Sequence, residues 1–103
     1  MMPRVSKYAP GVNTSRGQLS SAQIRAARAL LRWRAQDLAK EAALGVATIK
    51  RAEIAERETS LTAANDLAIR RAFETAGVEF IDENGSGSGV RFKKPYKPKA
   101  SKP

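Results

Sequence analysis

The 103-residue chain is long enough for one small domain, and its 42% apolar residues suffice for a modest core. It contains neither cysteine nor histidine, which excludes disulfide bonds, thiolate zinc sites and catalysis by a histidine base. With 19 basic and 10 acidic residues it carries a net charge of +9, which favours a polyanionic partner. We therefore expect a binding protein that is not an enzyme and uses no cofactor or metal.

The sequence also gives an expectation for the cellular compartment. No run of residues approaches the length of a membrane span. The opening residues lack the apolar stretch of a signal peptide. We therefore expect a cytoplasmic protein without a membrane partner.

The positive charge is unevenly distributed. Residues 1–19 hold three bases and residues 93–103 hold five, and neither segment contains an acid. Residues 20–51 hold seven bases and two acids, a balance of +5, whereas residues 52–92 balance to −4. A polyanion is therefore expected to contact the two ends and the first half of the folded part.

Both ends of the chain have the composition of flexible segments. Residues 1–18 place proline and glycine among small polar residues without periodicity, which predicts a flexible basic N-terminal arm. Residues 93–103 are rich in lysine and proline, which predicts a disordered tail. The tail could follow DNA phosphates, keep the protein soluble or bind a partner protein. Residues 19–92 remain as the folded domain.

The first predicted helix begins after Ser20 and runs to about Leu31. This serine precedes Gln23 by three residues, the spacing at which the two side chains cap a helix start reciprocally. Apolar residues then recur at steps of three and four, which places Arg25 and Arg32 on the solvent side. The residues expected to face inward are Ile24, Ala27, Leu30 and Leu31.

The same periodicity predicts three further helices. The second spans residues 35–42, the third runs from about 46 to 55 after a break at Leu44 and Gly45, and the fourth runs from about 61 to 76. Gly77 can adopt the left-handed conformation that closes helices. The apolar residues assigned to these helices are Leu38, Ala39, Ala42, Ile49 and Ala52, followed by Ala64, Leu67, Ala68, Ala72 and Phe73.

After Gly77 the apolar residues follow a period of two. The stretches VEFI, residues 78–81, and GVRF, residues 89–92, are short strand candidates, and the glycine-rich segment between them can reverse the chain. The predicted fold is therefore mainly α, a compact four- to five-helix bundle with a C-terminal β-hairpin.

Three stretches together resemble the Xre family of phage-repressor and Cro-like regulators, in particular a subgroup of short bacterial members. They are QIRAARALLRW, QDLAKEAALGVATIKRAE and RRAFETAGVEFIDENGSGSGVRF. The resemblance implies a helix-turn-helix domain whose third helix enters the major groove of double-stranded DNA. It further implies a sequence-specific transcriptional regulator that acts by occupying an operator. The residues that would contact DNA are Arg34, Ala35, Lys40, Gly45, Val46, Ala47, Thr48, Lys50 and Arg51.

Within this resemblance the third helix has a definite division of roles. The small apolar Val46 and Ala47 would let the backbone approach the groove floor and would touch thymine methyl groups. Thr48 would lie beside the DNA backbone, and Arg51 could bind guanine O6 and N7. The alternative is that this surface is simply solvated.

Two departures from the family pattern concern the second helix. The turn position that family members usually fill with glycine is Ala43, and a non-glycine residue in a left-handed conformation costs roughly 1 kcal/mol. A reshaped turn that uses Gly45 is the alternative. Arg34 and Ala35 stand where the family has a capping serine or threonine and a glutamine, so Arg34 could contact a phosphate but could not cap the helix.

The resemblance also implies an internal ion pair. Family members often pair an arginine of the first helix with the glutamate that ends the third, and Arg28 and Glu53 occupy these positions. We expect the two to meet, and removing one partner of a buried pair costs about 3 to 5 kcal/mol.

Two further expectations concern the partners and the alternative function. We expect a homodimer on DNA, and the strands at Val78–Ile81 and Gly89–Phe92 are candidates for joining the copies; alternatively, they only cover the fourth helix. The alternative function is a protein-interaction module, an antitoxin or anti-activator built on the same scaffold.

Overall fold

A computed structural model describes residues 18–55, 59 and 61–94. In these residues the chain forms four helices and one hairpin: α1 (Ser21–Leu31), α2 (Ala35–Ala42), α3 (Val46–Ile54), α4 (Ala63–Thr75), β1 (Val78–Ile81) and β2 (Gly89–Phe92). The prediction of a mainly helical domain that ends in a hairpin is confirmed. The arm predicted at 1–18 and the tail predicted at 93–103 lie outside the described residues except for Gln18, Lys93 and Lys94. Gln18 donates a hydrogen bond to the Leu61 carbonyl.

The start of α1 is fixed by the predicted capping box. The Ser20 hydroxyl accepts a hydrogen bond from the Gln23 backbone N–H at 3.0 Å. The Gln23 side-chain oxygen accepts from the Ser20 N–H, also at 3.0 Å. Two of the N–H groups that a helix start leaves unpaired are thereby satisfied.

Helices α1 and α2 both end in a left-handed residue that is not glycine. Arg32 closes α1 with φ of 59°, and Ala43 closes α2 with φ of 58°. In the second turn the Leu44 N–H donates to the Ala39 carbonyl at 2.9 Å, which satisfies one of the free carbonyls at the end of α2. Gly45 has φ of −71°, so the alternative that Gly45 replaces Ala43 in this turn is wrong.

The core lies between the helices and is closed by the hairpin. Ile24, Leu38 and Ile49 are completely buried and come from three different helices. Trp33 stacks on the buried Phe73 of α4 at 5.5 Å between ring centroids. The small Ala39 and Ala52 allow α2 and α3 to approach closely.

The prediction for α4 is partly wrong. Ala64 and Leu67, assigned to its apolar face, are exposed, and Leu67 retains 44% of its accessible surface. The buried face instead includes Ile69 and an ion pair in which the Arg70 Nε lies 3.0 Å from the Asp66 carboxylate. Apolar periodicity failed for this helix because two residues of its inward face, Asp66 and Arg70, are charged.

The hairpin packs on α1 and α4. Its strands are antiparallel, with Val78 opposite Phe92 and Phe80 opposite Val90. The Phe80 ring meets Phe73 edge to face at 5.7 Å between centroids. From the other side, the Gln23 amide nitrogen of α1 donates to the carbonyls of both strands at the loop end, at 3.3 and 3.1 Å.

Candidate nucleic-acid interface

Helix α3 buries one face and exposes the other. Ile49 and Ala52 are buried in the core, and Glu53 is buried on the same stripe. Lys50 and Arg51 are exposed on the opposite side. This separation follows from the helical period, because residues three and four apart share a face.

The N-terminal tip of α3 has no side-chain cap. Its N-cap residue is Gly45, which is exposed and has no side chain that could accept from the first-turn N–H groups. Ala47 is exposed, whereas Val46 and Thr48 are half-buried, and Val46 packs partly on the core. The Thr48 N–H donates to the Gly45 carbonyl at 3.0 Å, which leaves the N–H groups of Val46 and Ala47 for an external acceptor such as water or a phosphate.

The predicted contact residues lie on two consecutive helices, α2 and α3, joined by the turn at residues 43–45. Six of them are exposed: Arg34, Lys40, Gly45, Ala47, Lys50 and Arg51. The remaining three are half-buried: Ala35, Val46 and Thr48.

The cations of this surface differ in what they already bind. Lys40, Lys50 and Arg51 make no side-chain hydrogen bond or ion pair to any residue that the structure describes. Arg34 is different, because its Nε and Nη2 each lie 3.3 Å from a carboxylate oxygen of Asp37. Lys50 and Arg51 are thus available to an external anion without losing a partner, whereas Lys40 already interacts electrostatically with Asp37.

Asp37 supplies one half of a capping box at the start of α2, although the side chain of residue 34 makes no cap hydrogen bond itself. Its Oδ2 accepts a hydrogen bond from the Arg34 backbone N–H at 2.8 Å. The side-chain hydrogen bond to Arg34 is the main cause that holds the pKa of Asp37 below its usual range. The same bond raises the pKa of the Arg34 guanidinium. Sequence reasoning missed this role, although the three-residue spacing and the acid in the first helical turn were its signals.

The C-terminal end of α3 is held by side chains of α1. The Ser21 hydroxyl donates to the Ala55 carbonyl at 2.7 Å, and the Arg25 Nη1 donates to the Glu53 carbonyl at 2.6 Å. Arg25 was predicted to face solvent; it is exposed, but it binds α3. Residues 21, 25 and 28 share one stripe of α1, and this spacing was the available signal.

The contact predicted between Arg28 and Glu53 is present. The Arg28 Nε and Nη2 donate to the two carboxylate oxygens of Glu53, both at 2.7 Å. The Arg28 Nη1 donates to the Trp33 carbonyl at 2.8 Å, so the same guanidinium also binds the turn after α1. The hydrogen bond to Glu53 raises the pKa of Arg28. All three guanidinium nitrogens of Arg28 therefore bind other residues of the domain.

The apolar residues of the hairpin lie mainly against the domain itself. Val78 is completely buried, and Phe80, Val90 and Phe92 pack partly on the core. Each strand pairs only with the other among the described residues, so each keeps an outer edge without a strand neighbour. These edges, rather than the apolar face, are what the hairpin could offer to a second copy.

The described residues contain no cluster of three or more acidic side chains placed to hold a metal ion. Nor does any helix in the described ranges combine the length and apolarity needed to cross a membrane. No protein-family model matches the sequence, and no curated protein aligns with it significantly.

Proposed function

We propose that this chain is a helix-turn-helix transcriptional regulator resembling the Xre family, which occupies an operator by inserting α3 into the major groove of DNA. Helices α2 and α3 form the helix-turn-helix, and the turn at Ala43 joins them. The protein acts by binding and carries out no chemistry of its own.

The exposed face of α3 is the observation that carries this proposal. Lys50 and Arg51 are exposed and make no ion pair in the described chain, one turn after the small Ala47. The opposite face of the same helix is fixed to the core by Ile49 and to α1 by Glu53. A rigid cationic helix with a narrow, uncapped tip suits a groove about 12 Å wide.

Each residue of this face has a proposed role. Arg51 binds the O6 and N7 atoms of guanine, and Ala47 touches a thymine methyl group. Lys50 binds a phosphate or a base edge, and Lys40 on α2 binds the DNA backbone. The resemblance also implies a phosphate contact from Arg34. In the free protein, however, the Arg34 side chain is already paired with the carboxylate of Asp37.

Tight binding requires two copies of the domain. A single module of this kind buries about 600 to 1,000 Å² on DNA, which rarely suffices for selective binding. We propose a homodimer with half-sites about 34 Å apart, joined through the outer edges of the hairpin. The packing of Val78 and Phe80 into the domain leaves only those edges, not the apolar face, for this contact.

The proposal is tested by titrating the purified protein against DNA from upstream of its own gene at several salt concentrations. Affinity should fall steeply with salt, and Arg51→Ala should cost about 1 to 3 kcal/mol and relax the sequence preference. Arg71→Ala is the matched control, because Arg71 is also exposed but lies on α4. The proposal fails if affinity does not depend on salt and unrelated DNA competes equally.

A second candidate, a protein-interaction module, is favoured by one specific feature. Ile54 at the end of α3 is 76% exposed, and it borders an open pocket of about 420 Å³ that Arg51, Leu61 and Asn65 also line. Exposed apolar side chains beside a pocket often mark protein contacts. A substitution Ile54→Asn separates the two candidates: a DNA-binding regulator retains control of its promoter, whereas an interaction module loses its partner.

A further inference from the structure

The proposed DNA surface contains a carboxylate that binds one of its own cations. Asp37 lies in the first turn of α2, three residues after Arg34. Its side chain remains 36% exposed, and that of Arg34 remains 74% exposed. The resemblance to a helix-turn-helix would place the start of α2 beside the DNA backbone, where the negative charge of Asp37 opposes binding.

The geometry of the pair restricts what Arg34 can bind. Two of the three guanidinium nitrogens, Nε and Nη2, point to the carboxylate oxygens at 3.3 Å. Asp37 itself cannot swing away freely, because its Oδ2 also accepts from the Arg34 backbone N–H at 2.8 Å. A phosphate that approaches Arg34 therefore meets a guanidinium that is already paired and a carboxylate that is held beside it.

We infer that Asp37 limits the affinity of this surface for DNA phosphates by holding Arg34 in an internal pair, an inference that rests on the proposed DNA-binding function. DNA can draw the Arg34 guanidinium out of the pair, since exposed ion pairs are weak. Asp37, held by the Arg34 backbone N–H, then remains close to the phosphate and repels it. Arg34 therefore contributes less to binding than an unpaired arginine at the same position.

A second acidic residue on α2, Glu41, provides the comparison. Lys40 and Glu41 are both exposed, and neither makes a side-chain hydrogen bond or ion pair within the described ranges. Substituting Glu41 by glutamine removes the same unit of negative charge from the same helix as substituting Asp37 by asparagine. Glu41→Gln leaves the pair of Arg34 and Asp37 intact. It therefore distinguishes the effect of losing one negative charge from the effect of freeing Arg34.

A double-mutant cycle measures this effect with a labelled duplex of mixed sequence at low salt. Asp37→Asn should tighten binding by about tenfold and steepen the salt dependence by about one unit of slope. Arg34→Ala should cost about tenfold in the Asp37→Asn background but only about two- to threefold in the wild type. In the Glu41→Gln background Arg34→Ala should cost the same as in the wild type.

The outcomes separate this inference from the function on which it rests. If the wild type binds DNA and Arg34→Ala costs the same factor with and without Asp37, the internal pair has no influence and the inference is wrong. If neither the wild type nor any variant binds, both the inference and the proposed function are overturned.

Folding of the variants can be verified independently. The asparagine side-chain oxygen can still accept from the Arg34 N–H, so the start of α2 should be preserved. The fluorescence of Trp33, the only tryptophan of the chain, reports on its contact with Phe73. Asp37→Ser is a second such variant, because the serine hydroxyl can also accept the hydrogen bond from the Arg34 N–H. In this background Arg34→Ala should again cost about tenfold in affinity.

Discussion

At the scale of single residues, the turn after α2 is a point of backbone strain. Ala43 adopts φ of 58°, a conformation that costs a non-glycine residue roughly 1 kcal/mol. The cost is tolerated because the Leu44 N–H and the Ala39 carbonyl form a good hydrogen bond across the turn. This strained turn sets the angle between α2 and α3, so it matters to the surface proposed to bind DNA.

Replacing Ala43 by glycine should therefore stabilise the domain by about 1 kcal/mol, a rise of several degrees in melting temperature. Thermal unfolding followed by circular dichroism measures this. Ala26→Gly is the matched control, because Ala26 is exposed in the middle of α1 and glycine there should destabilise by roughly the same amount. Equal effects at both positions would show that residue 43 is not under strain.

At the scale of elements, α1 is the part to which the other elements are tied. Its first turn donates to both strands through Gln23 and to the end of α3 through Ser21. Arg25 and Arg28 bind α3 one and two turns further on, both at Glu53. Side chains of α1 therefore hold the C-terminal end of α3, whereas the turn at Ala43 holds its start.

The strongest of these ties is the pair of Arg28 and Glu53. Glu53 is 9% exposed at its side chain, so Arg28→Ala leaves a buried carboxylate without its cation and should cost about 3 kcal/mol of unfolding free energy. Urea unfolding followed by Trp33 fluorescence measures this loss. Arg71→Ala, on the exposed side of α4, should stay within about 0.5 kcal/mol. A loss of similar size in both variants would mean that the pair does not fix α3 to α1.

Most elements could be predicted from the sequence because each carries local signals. The predicted bounds of α1, α2, β1 and β2 agree with those in the structure. They follow from capping residues, apolar periodicity and the positions of glycine. The inward face of α4 could not be predicted in this way. Asp66 and Arg70 are buried there as an ion pair, and burial of charge is the reverse of what apolar periodicity assumes.

At the scale of the whole molecule, the net charge of +9 overstates what a polyanion meets on the folded domain. Of the seven bases in residues 20–51, Arg25 and Arg28 bind α3 and Arg34 binds Asp37. The sequence identified the cationic face of α3, because the resemblance fixes which residues point outward. It did not show that Arg25 is engaged, since that contact is with a residue distant in sequence, whereas the resemblance predicted the pair of Arg28 and Glu53 and the pair of Arg34 and Asp37 has a local spacing.

The most direct test of the central claim, that α3 occupies the major groove, is methylation of guanine N7 in DNA bound by the protein. This atom lies in the major groove, where Arg51 would cover it. We predict protection in two patches about 34 Å apart, and loss of that protection with Arg51→Ala. Undiminished methylation of every guanine in DNA that the protein demonstrably retains would contradict the claim.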